Sequence, residues 1–315
     1  MLQNMDYIYE VWKERSFSRA AKNLYISQSS LSQTIRHAEK RIGMEIFDRS
    51  AHPIKLTEFG ELYIRSVEEI YGLVHRLENY VSDTNHLKSG HLAIGAGNFF
   101  ALHLLPPVIA AFKNAHANIR VSLREGRTVD LLEELAKGNI DLLVSNGSLD
   151  TKLYNKTVLF TEHMVLSVPK RFFSFPPQPK SLLSSDAFSD LQTFLHTPPV
   201  NLQNFSDIPF ILLSPGNDAR IRAEKMLSAA NLHPIILLEP SQTSTAYAMS
   251  QSGIGATIID DALVRTLGNT KNVYIYRLPD TYGTREVAVY TKKNGYMTRS
   301  MHAFIKLLQK MVHPQ

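Results

Sequence analysis

Apolar residues recur at helical spacing along the first sixty residues of the chain. One run occupies residues 5–12 and stops at Ser16, whose side chain can cap a second, shorter helix. Ser27 can cap a third helix that continues to about Ile42, and Gly43 stands where a residue with positive φ ends a helix. The pattern predicts two short helices, a tight turn and a longer third helix.

The third predicted helix has an apolar face and a polar face. Its apolar residues form a narrow stripe that must pack on the first two helices, whereas its polar face carries few acids. Gln can pair with adenine, Arg with guanine, and Ser with base edges or phosphates. The candidates for such contacts are Ser27, Gln28, Ser29, Ser32, Gln33, Arg36 and Lys40. Taken singly, these residues also suit an ordinary amphipathic helix, but their order along the chain is typical of a helix-turn-helix.

A loosely alternating stretch over residues 44–56 contains a Ser-Ala-His-Pro turn and predicts a small β-hairpin, which would be a wing. Arg49, His52 and Lys55 on it are candidates for phosphate or minor-groove contacts. Between Arg15 and Lys55 the chain carries eight Lys and Arg against three acids, an excess equal to its net charge of +5. Localised positive charge favours phosphate binding, although a solvated surface can also be basic.

A long helix follows the hairpin, with Thr57 as its predicted cap and an end near Leu87. Apolar residues recur along it at intervals of four and three, which is the heptad pattern of a coiled coil. The predicted seam consists of Tyr63, Val67, Ile70, Val74, Leu77 and Val81. A second copy of the chain is the expected partner, and packing of the helix on its own chain is the alternative. The periodicity is lost between Asp83 and Gly90, where we place a hinge.

The remaining two thirds of the chain alternate between strand and helix patterns. Strands are predicted over residues 91–95, 119–123, 140–144, 208–213, 235–238, 256–259, 273–276 and 287–290. Such alternation is typical of parallel sheets with helical crossovers. The last two strands suggest a return to the first half, which gives two α/β halves with a cleft between them.

Several stretches of this sequence resemble one family. In its N-terminal part the chain closely resembles the winged helix-turn-helix of LysR-type transcriptional regulators, through Ser16-Phe-Ser-Arg-Ala-Ala-Lys-Asn-Leu24, Ser27-Gln-Ser-Ser-Leu-Ser32, Ile46-Phe-Asp-Arg49 and Leu56-Thr-Glu-Phe-Gly60. The C-terminal part is similar to the effector domain of that family through Gly90-His-Leu-Ala-Ile-Gly95, Leu135-Ala-Lys-Gly-Asn-Ile-Asp141 and Gly253-Ile-Gly255. Three positions depart from the family pattern: Arg15 replaces a usual Gly, and Ser29 and Asp260 replace a usual Pro.

The resemblance implies a multidomain α + α/β fold. We expect a winged helix-turn-helix over residues 1–60, a linker and dimerisation helix with a hinge over 61–90, and a two-lobed, periplasmic binding protein-like effector-binding domain over 91–315. Lobe I would comprise 91–165 and 270–315, and lobe II 166–269. The implied function is sequence-specific binding of a pseudo-palindromic promoter site, as a homodimer or homotetramer that responds to a small-molecule effector and can contact RNA polymerase.

Open α/β sheets bind ligands beyond the carboxyl ends of their strands. The candidates for effector contacts are Asn98, Phe99, Phe100, Arg127, Thr128, Asn146, Ser214, Pro215, Thr243 and Ser244. Thr128 and Ser244 can equally be helix caps, and Arg127 indicates an anionic effector. The connection over residues 170–207 is longer than usual, and Phe172, Phe173 and Phe175 make it either a lid on the cleft or a surface excursion.

Other classes of function lack their signatures. Gly95-Ala-Gly97 misses the third glycine of a dinucleotide fingerprint, and neither a phosphate-binding Gly-Lys-Ser/Thr loop nor a Gly-x-Ser-x-Gly elbow occurs. The chain has no cysteine, and its histidines lack metal-binding spacing. We therefore expect neither an enzyme nor a cofactor. Without a secretory signal or a long apolar run, we expect a cytoplasmic protein with no membrane contact, and we rank a solute-binding or transport module as the alternative.

Overall fold

The computed structural model describes residues 3–51, 53–84, 90–184, 186–188 and 190–312. A helical head, a long linking helix and a two-lobed α/β part follow one another along the chain. In these described ranges no helix has the length and apolar character needed to cross a membrane.

The head contains three helices and a two-stranded antiparallel hairpin: α1 (Met5–Glu14), α2 (Phe17–Asn23), α3 (Gln28–Ile42), β1 (Phe47–Asp48) and β2 (Lys55–Leu56). The side chain of Ser16 accepts a hydrogen bond from the backbone of Arg19, and that of Ser27 from the backbone of Ser30. Both predicted caps are thereby confirmed. Gly43 ends α3 with a φ of 85°, also as predicted.

The linking helix α4 (Glu58–Thr84) starts behind Thr57, whose hydroxyl oxygen accepts a hydrogen bond from the Gly60 amide at 2.9 Å. Its first turns complete the core of the head, where they pack with apolar residues of the three preceding helices: Ile8, Val11, Ala20, Ala21, Leu31 and Ile35. The head and the start of α4 therefore share one hydrophobic core.

The predicted seam of α4 is divided between two environments. Tyr63 and Val67 are 6% and 1% exposed, because they pack in the core of the head. The prediction that these two residues contact a second copy of the chain is therefore wrong. The other members of the seam are half-buried or exposed: Ile70, Val74, Leu77 and Val81.

The α/β part carries two series of strands and helices. The first comprises β3 (Gly90–Ala96), α5 (Leu105–Ala115), β4 (Ile119–Glu125), α6 (Thr128–Lys137), β5 (Leu142–Ser145) and β6 (Tyr154–Pro169). The second comprises α7 (Leu191–His196), β7 (Phe210–Ile211), α8 (Asp218–Ala229), β8 (Ile236–Leu238), α9 (Thr243–Gln251), β9 (Ala256–Asp260), α10 (Asp261–Leu267) and β10 (Val273–Arg277). It is followed by β11 (Thr284–Lys292) and α11 (Arg299–Val312).

Two sets of parallel strands form the lobes, joined by antiparallel strands. In lobe I, β4, β3 and β5 are parallel, and in lobe II the parallel set is β9, β7 and β8. Strand β6 runs through both lobes, since its first half pairs with β11 and its second half with β9 and β10. Because β10 pairs with residues 165–169, the chain is still in lobe II there. The predicted return at residue 270 is therefore too early, and β11 makes the return.

The long connection over residues 170–207 packs on lobe II. Leu183 and Phe194 are buried in the core of this lobe. The backbone amide of Leu183 donates to the carbonyl of Ile275 at 2.8 Å, and that of Val200 donates to the carbonyl of Arg277 at 2.8 Å. The connection therefore covers the edge of β10.

The three phenylalanines at the start of this connection have different surroundings. Phe172 and Phe173 pack against the core of lobe II, with the ring of Phe173 centred 6.0 Å from that of Phe205. Phe175 is 83% exposed. These contacts agree with the surface excursion and not with a lid made by the three rings.

Candidate functional site

The polar face of α3 is open to solvent at the surface of the head. Ser29, Gln33, Arg36 and Lys40 are exposed, and their spacing of three and four residues places them on one side of the helix. Ser32 is half-buried beside them. Ser27 and Gln28 are exposed at the first turn, where the hydroxyl of Ser27 lies 3.1 Å from that of Ser29. The seven residues predicted to contact DNA therefore lie at the first turn of α3 and along one side of this helix.

The basic residues predicted on the hairpin differ in their exposure and in their partners. Lys55 is exposed on β2, directly opposite Asp48 of β1. Arg49 is engaged by its own chain: its Nη2 donates to Oε2 of Glu39 at 2.7 Å, and its guanidinium lies 5.4 Å from the centre of the Phe17 ring. The predicted contact residue His52 lies outside the described residues.

An apolar stripe remains exposed on the second half of α4. Its members are Leu73 (53% exposed), Val74 (41%), Leu77 (68%), Tyr80 (55%) and Val81 (61%). A row of large apolar side chains on one helix marks an interaction surface, since it would otherwise stay in contact with water. We call these five residues the α4 stripe.

Lobe I contacts α4 beside the α4 stripe, and Tyr80 belongs to both surfaces. The Lys137 ammonium at the end of α6 forms an ion pair with Glu68 of α4 at 3.2 Å. One turn further along α4, a Cβ placed on Gly72 would lie 2.2 Å from the carbonyl oxygen of Lys137, so only a glycine allows this approach. The rings of Tyr80 and Tyr296 are centred 5.0 Å apart. We call these contacts the lobe I–α4 contact.

On the lobe I side of the predicted cleft, two asparagine side chains donate hydrogen bonds to glutamate carboxylates. Asn98, after β3, donates to Oε1 of Glu125 at 2.8 Å, and Asn146, after β5, donates to Oε2 of Glu162 at 3.0 Å. Phe99 packs against the cores of both lobes. The predicted contact residue Phe100 is 4% exposed in the core of lobe I, which removes it from the surface of the cleft.

The start of α6 differs from the expectation. The helix begins at Thr128 itself and its N-cap is Arg127, so the interpretation of Thr128 as the cap is wrong. Within the described ranges the Thr128 hydroxyl makes no hydrogen bond, which leaves it available to a ligand. The Arg127 guanidinium forms an ion pair with Asp130 at 2.8 Å, and the side chain of Arg127 is 83% exposed.

The predicted residues of lobe II lie on two elements. The hydroxyl of Ser214 donates to the carbonyl of Glu239 at 2.8 Å, and Pro215 beside it is exposed. Thr243 and Ser244 are half-buried in the first turn of α9, which no side chain caps. Ser244 is therefore a residue of the helix and not its cap.

A charge cluster that the sequence analysis missed, with three buried members and the exposed Asp218, lies where β11 enters lobe I. Arg285 binds three carboxylates: its Nε lies 2.8 Å from Oε2 of Glu162, its Nη2 2.8 Å from Oδ1 of Asp260, and its Nη1 3.0 Å from Oδ2 of Asp218. Glu162 lies on β6, which both lobes share, whereas Asp260 and Asp218 belong to lobe II. Arg285 therefore links strands β6 and β11, which pair with each other, to lobe II. We call Glu162, Asp218, Asp260 and Arg285 the Arg285 cluster.

Burial changes the proton affinities within the Arg285 cluster. Burial raises the pKa of Glu162 to about 7, and repulsion from Asp260 acts in the same direction against the attraction of Arg285. For Arg285, burial favours the neutral form, but the negative charges of Asp260, Glu162 and Asp218 outweigh it and raise the pKa further. One guanidinium does not compensate two buried carboxylates, so Glu162 holds its proton up to neutral pH.

Only one member of the Arg285 cluster had a signal in the sequence. Asp260 stands where the resembled family usually has proline. Glu162, Asp218 and Arg285 are far apart along the chain, and no local pattern distinguishes them from exposed charged residues.

Comparison with known proteins identifies the same two parts of the chain, the helical head and the two-lobed α/β part. The model of the LysR substrate binding domain matches residues 85–312, and that of the lysR-family bacterial regulatory helix-turn-helix protein matches residues 2–61. The HTH-type transcriptional regulator YcgK of Bacillus subtilis is 27% identical over 96% of this chain and 92% of its own length. The regulator CzcR of Bacillus anthracis is 23% identical over 99% and 98%.

Solved structures share the fold at low sequence identity. Full-length CbnR in complex with its target DNA has a TM-score of 0.68 and 17% identity, over 98% of this chain and 99% of its own. Full-length OxyR of Pseudomonas aeruginosa has a TM-score of 0.64 and 20% identity, over 99% and 97%. The two family models together match nearly all of the chain, which therefore belongs to the LysR family of DNA-binding transcriptional regulators with an effector-binding domain.

Proposed function

We propose that two copies of this chain pair along the α4 stripe and place their α3 helices on the two halves of a pseudo-palindromic DNA site in the cytoplasm. The observation that carries the proposal is the acid-poor polar face of α3 together with the exposed apolar stripe of α4. A single recognition helix reads one half-site, so a two-fold pair presents two of them. Contact with RNA polymerase stays a prediction.

Bases are proposed to be read by the middle of the exposed face of α3. Gln33→Ala and Arg36→Ala should each weaken binding to DNA from upstream of the chain's own gene by about 1–3 kcal/mol and relax the base preference at one position. Fluorescence anisotropy at fixed salt measures both effects. Lys306→Ala, which removes a positive charge from the exposed side of α11, is the control and should bind normally. Unchanged affinity and base preference in both variants would exclude α3 as the reading element.

The effector is proposed to bind between the lobes, against Asn98, Thr128 and Asn146 of lobe I and the first turn of α9 in lobe II. The free hydroxyl of Thr128 and the position of these residues beyond the strand ends support this site. The basis for an anionic effector is weaker than the sequence indicated, because Arg127 is already paired with Asp130. Glu125 adds a negative charge beside Asn98. With Glu162 protonated, Asp260 and Asp218 still outnumber the one cation of the Arg285 cluster. We therefore propose a ligand with amine or other donor groups.

Thermal-shift measurements test this site. A ligand that binds only the folded state raises the melting temperature in proportion to its affinity and concentration. Small amines such as spermidine should raise it more than carboxylates such as citrate. Thr128→Ala should abolish the shift of any compound that binds, without changing the melting temperature of the free protein. A retained shift in this variant would remove Thr128 from the site.

The lobe I–α4 contact is proposed to carry the effect of the ligand to the DNA-binding head. Helix α6 has ten residues and is about 15 Å long, with Thr128 at its start beside the cleft and Lys137 at its end in contact with Glu68 of α4. A ligand that shifts the start of α6 displaces its end against α4. Because the first turns of α4 are part of the core of the head, the displacement reorients α3 relative to its partner.

A further inference from the structure

Glu39 is a buried acid of α3, and it lies between the apolar side of the helix and the face that the preceding proposal assigns to DNA. It is 7% exposed, although α3 has ample exposed surface for a charged residue. A carboxylate is kept out of water only where hydrogen bonds and charges compensate it. A buried Glu39 therefore requires hydrogen-bond donors or cations beside its carboxylate.

The partners of Glu39 all belong to the first strand of the hairpin and its flanks. Its Oε1 accepts from the backbone amides of Ile46 at 2.9 Å and Phe47 at 3.2 Å, and its Oε2 accepts from Arg49 at 2.7 Å. The carbonyl of Ile46 in turn accepts from the Thr57 amide at 3.0 Å, at the start of α4. One side chain of α3 thus joins the recognition helix to the hairpin, and through it to the linking helix.

Arg49 is held in this arrangement and is not a free surface cation. Its side chain is 27% exposed, its charge is compensated by Glu39, and its guanidinium lies near Phe17. Lys55, by contrast, is exposed on the neighbouring strand. An arginine with a buried acidic partner gains less from a phosphate than a solvated lysine does, because it must first give up an existing ion pair.

We propose that Glu39 is a positioning residue that fixes the hairpin relative to the recognition helix, and that Arg49 acts through Glu39 and not on DNA. The inference rests on the proposed function, because it assumes that α3 and the hairpin contact the same duplex. It changes the prediction for Arg49 from a phosphate contact to a residue that holds the hairpin in place. Lys55 then provides the charge of the hairpin that faces the DNA backbone.

Salt dependence separates the two basic residues. On a duplex from upstream of the chain's own gene, each phosphate contact that is lost reduces the slope of log K against log salt concentration by about 0.9. We expect Lys55→Ala to show this reduction in the full-length protein. We expect Arg49→Leu to weaken binding with an unchanged slope. A slope reduced as much by Arg49→Leu as by Lys55→Ala would overturn the role given to Arg49.

Footprints test Glu39 itself. Glu39→Ala should weaken binding by about tenfold or more and remove the hydroxyl-radical protection made by the hairpin, while the major-groove protection by α3 persists. Glu39→Gln should stay within about threefold of the wild type, because its amide oxygen can still accept from Ile46 and Phe47. Hairpin protection that persists in Glu39→Ala, or equal losses in the two variants, would overturn the inference.

A folding defect of Glu39→Ala and a failure of the proposed function can each be told apart from a failure of the inference. If circular dichroism shows that Glu39→Ala does not fold, Glu39→Gln and the slope of Arg49→Leu decide. If Gln33→Ala weakens binding while Glu39→Ala keeps the hairpin protection, only the inference about Glu39 fails. If Gln33→Ala also leaves binding unchanged, the proposed use of α3 fails instead.

Discussion

The buried carboxyl of Glu162 should make the stability of the protein fall as pH rises towards neutrality. Its pKa is raised from 4.5 to about 7 by burial and by Asp260. A group that binds its proton more tightly in the folded state stabilises that state fully below pH 4.5, and this stabilisation is lost as pH rises through about 7. A shift of one pKa unit corresponds to about 1.4 kcal/mol, so the loss is about 3 kcal/mol. Glu162→Gln has no such proton to lose and should be free of this loss.

Urea denaturation at pH 5 and at pH 8 measures how much free energy of unfolding each protein loses between the two pH values. All measurements use one protein concentration, because dimerisation also contributes to stability. The wild type should lose more free energy of unfolding between the two pH values than Glu162→Gln does. Glu133→Gln, on the exposed side of α6, is the matched control and should behave as the wild type. Equal losses in the wild type and in Glu162→Gln would refute the reasoning.

Three further changes test the remaining interfaces. Leu77→Glu places a charge in the α4 stripe and should convert the dimer to monomers in sedimentation, and an intact dimer would count against the stripe. Gly72→Ala should separate lobe I from α4, because its Cβ would lie 2.2 Å from a carbonyl oxygen, and should increase the radius of gyration in X-ray scattering. Gly97→Ala, with no atom within 4 Å of the new Cβ, should leave it unchanged. Phe194→Ala should cost about 3–5 kcal/mol of stability. Phe175→Ala, at an exposed position, should cost little, and a similar cost for both would contradict the packing of this segment on lobe II.

Local signals predicted the head well. Ser16, Ser27 and Gly43 act within a few residues of their own position, where a cap or a positive φ depends on the neighbouring backbone alone. The polar face of α3 could be predicted for the same reason, since the helical period places its residues together. Glu39 was missed because its charge suggested an exposed residue, and its partners lie on the hairpin, seven to ten residues further along the chain.

The linking helix shows the limit of periodicity. A heptad pattern identifies the residues that avoid water, but not which surface covers each of them. Tyr63 and Val67 are covered by the head of the same chain, whereas Val74 and Leu77 stay exposed to solvent in the described part of the chain. Gly72 had no role in the pattern, because its importance comes from the approach of lobe I from outside the helix.

The sequence by itself determined the order of the elements, the caps of the head, the exposed face of α3 and the family. These features depend on interactions between near neighbours, which a linear pattern records. Only the tertiary structure decided that Arg285 collects carboxylates from β6, α8 and β9, and that β10 belongs to lobe II. Such contacts join residues tens to more than a hundred positions apart, and their energies come from burial and charge compensation that exist only after the chain has folded.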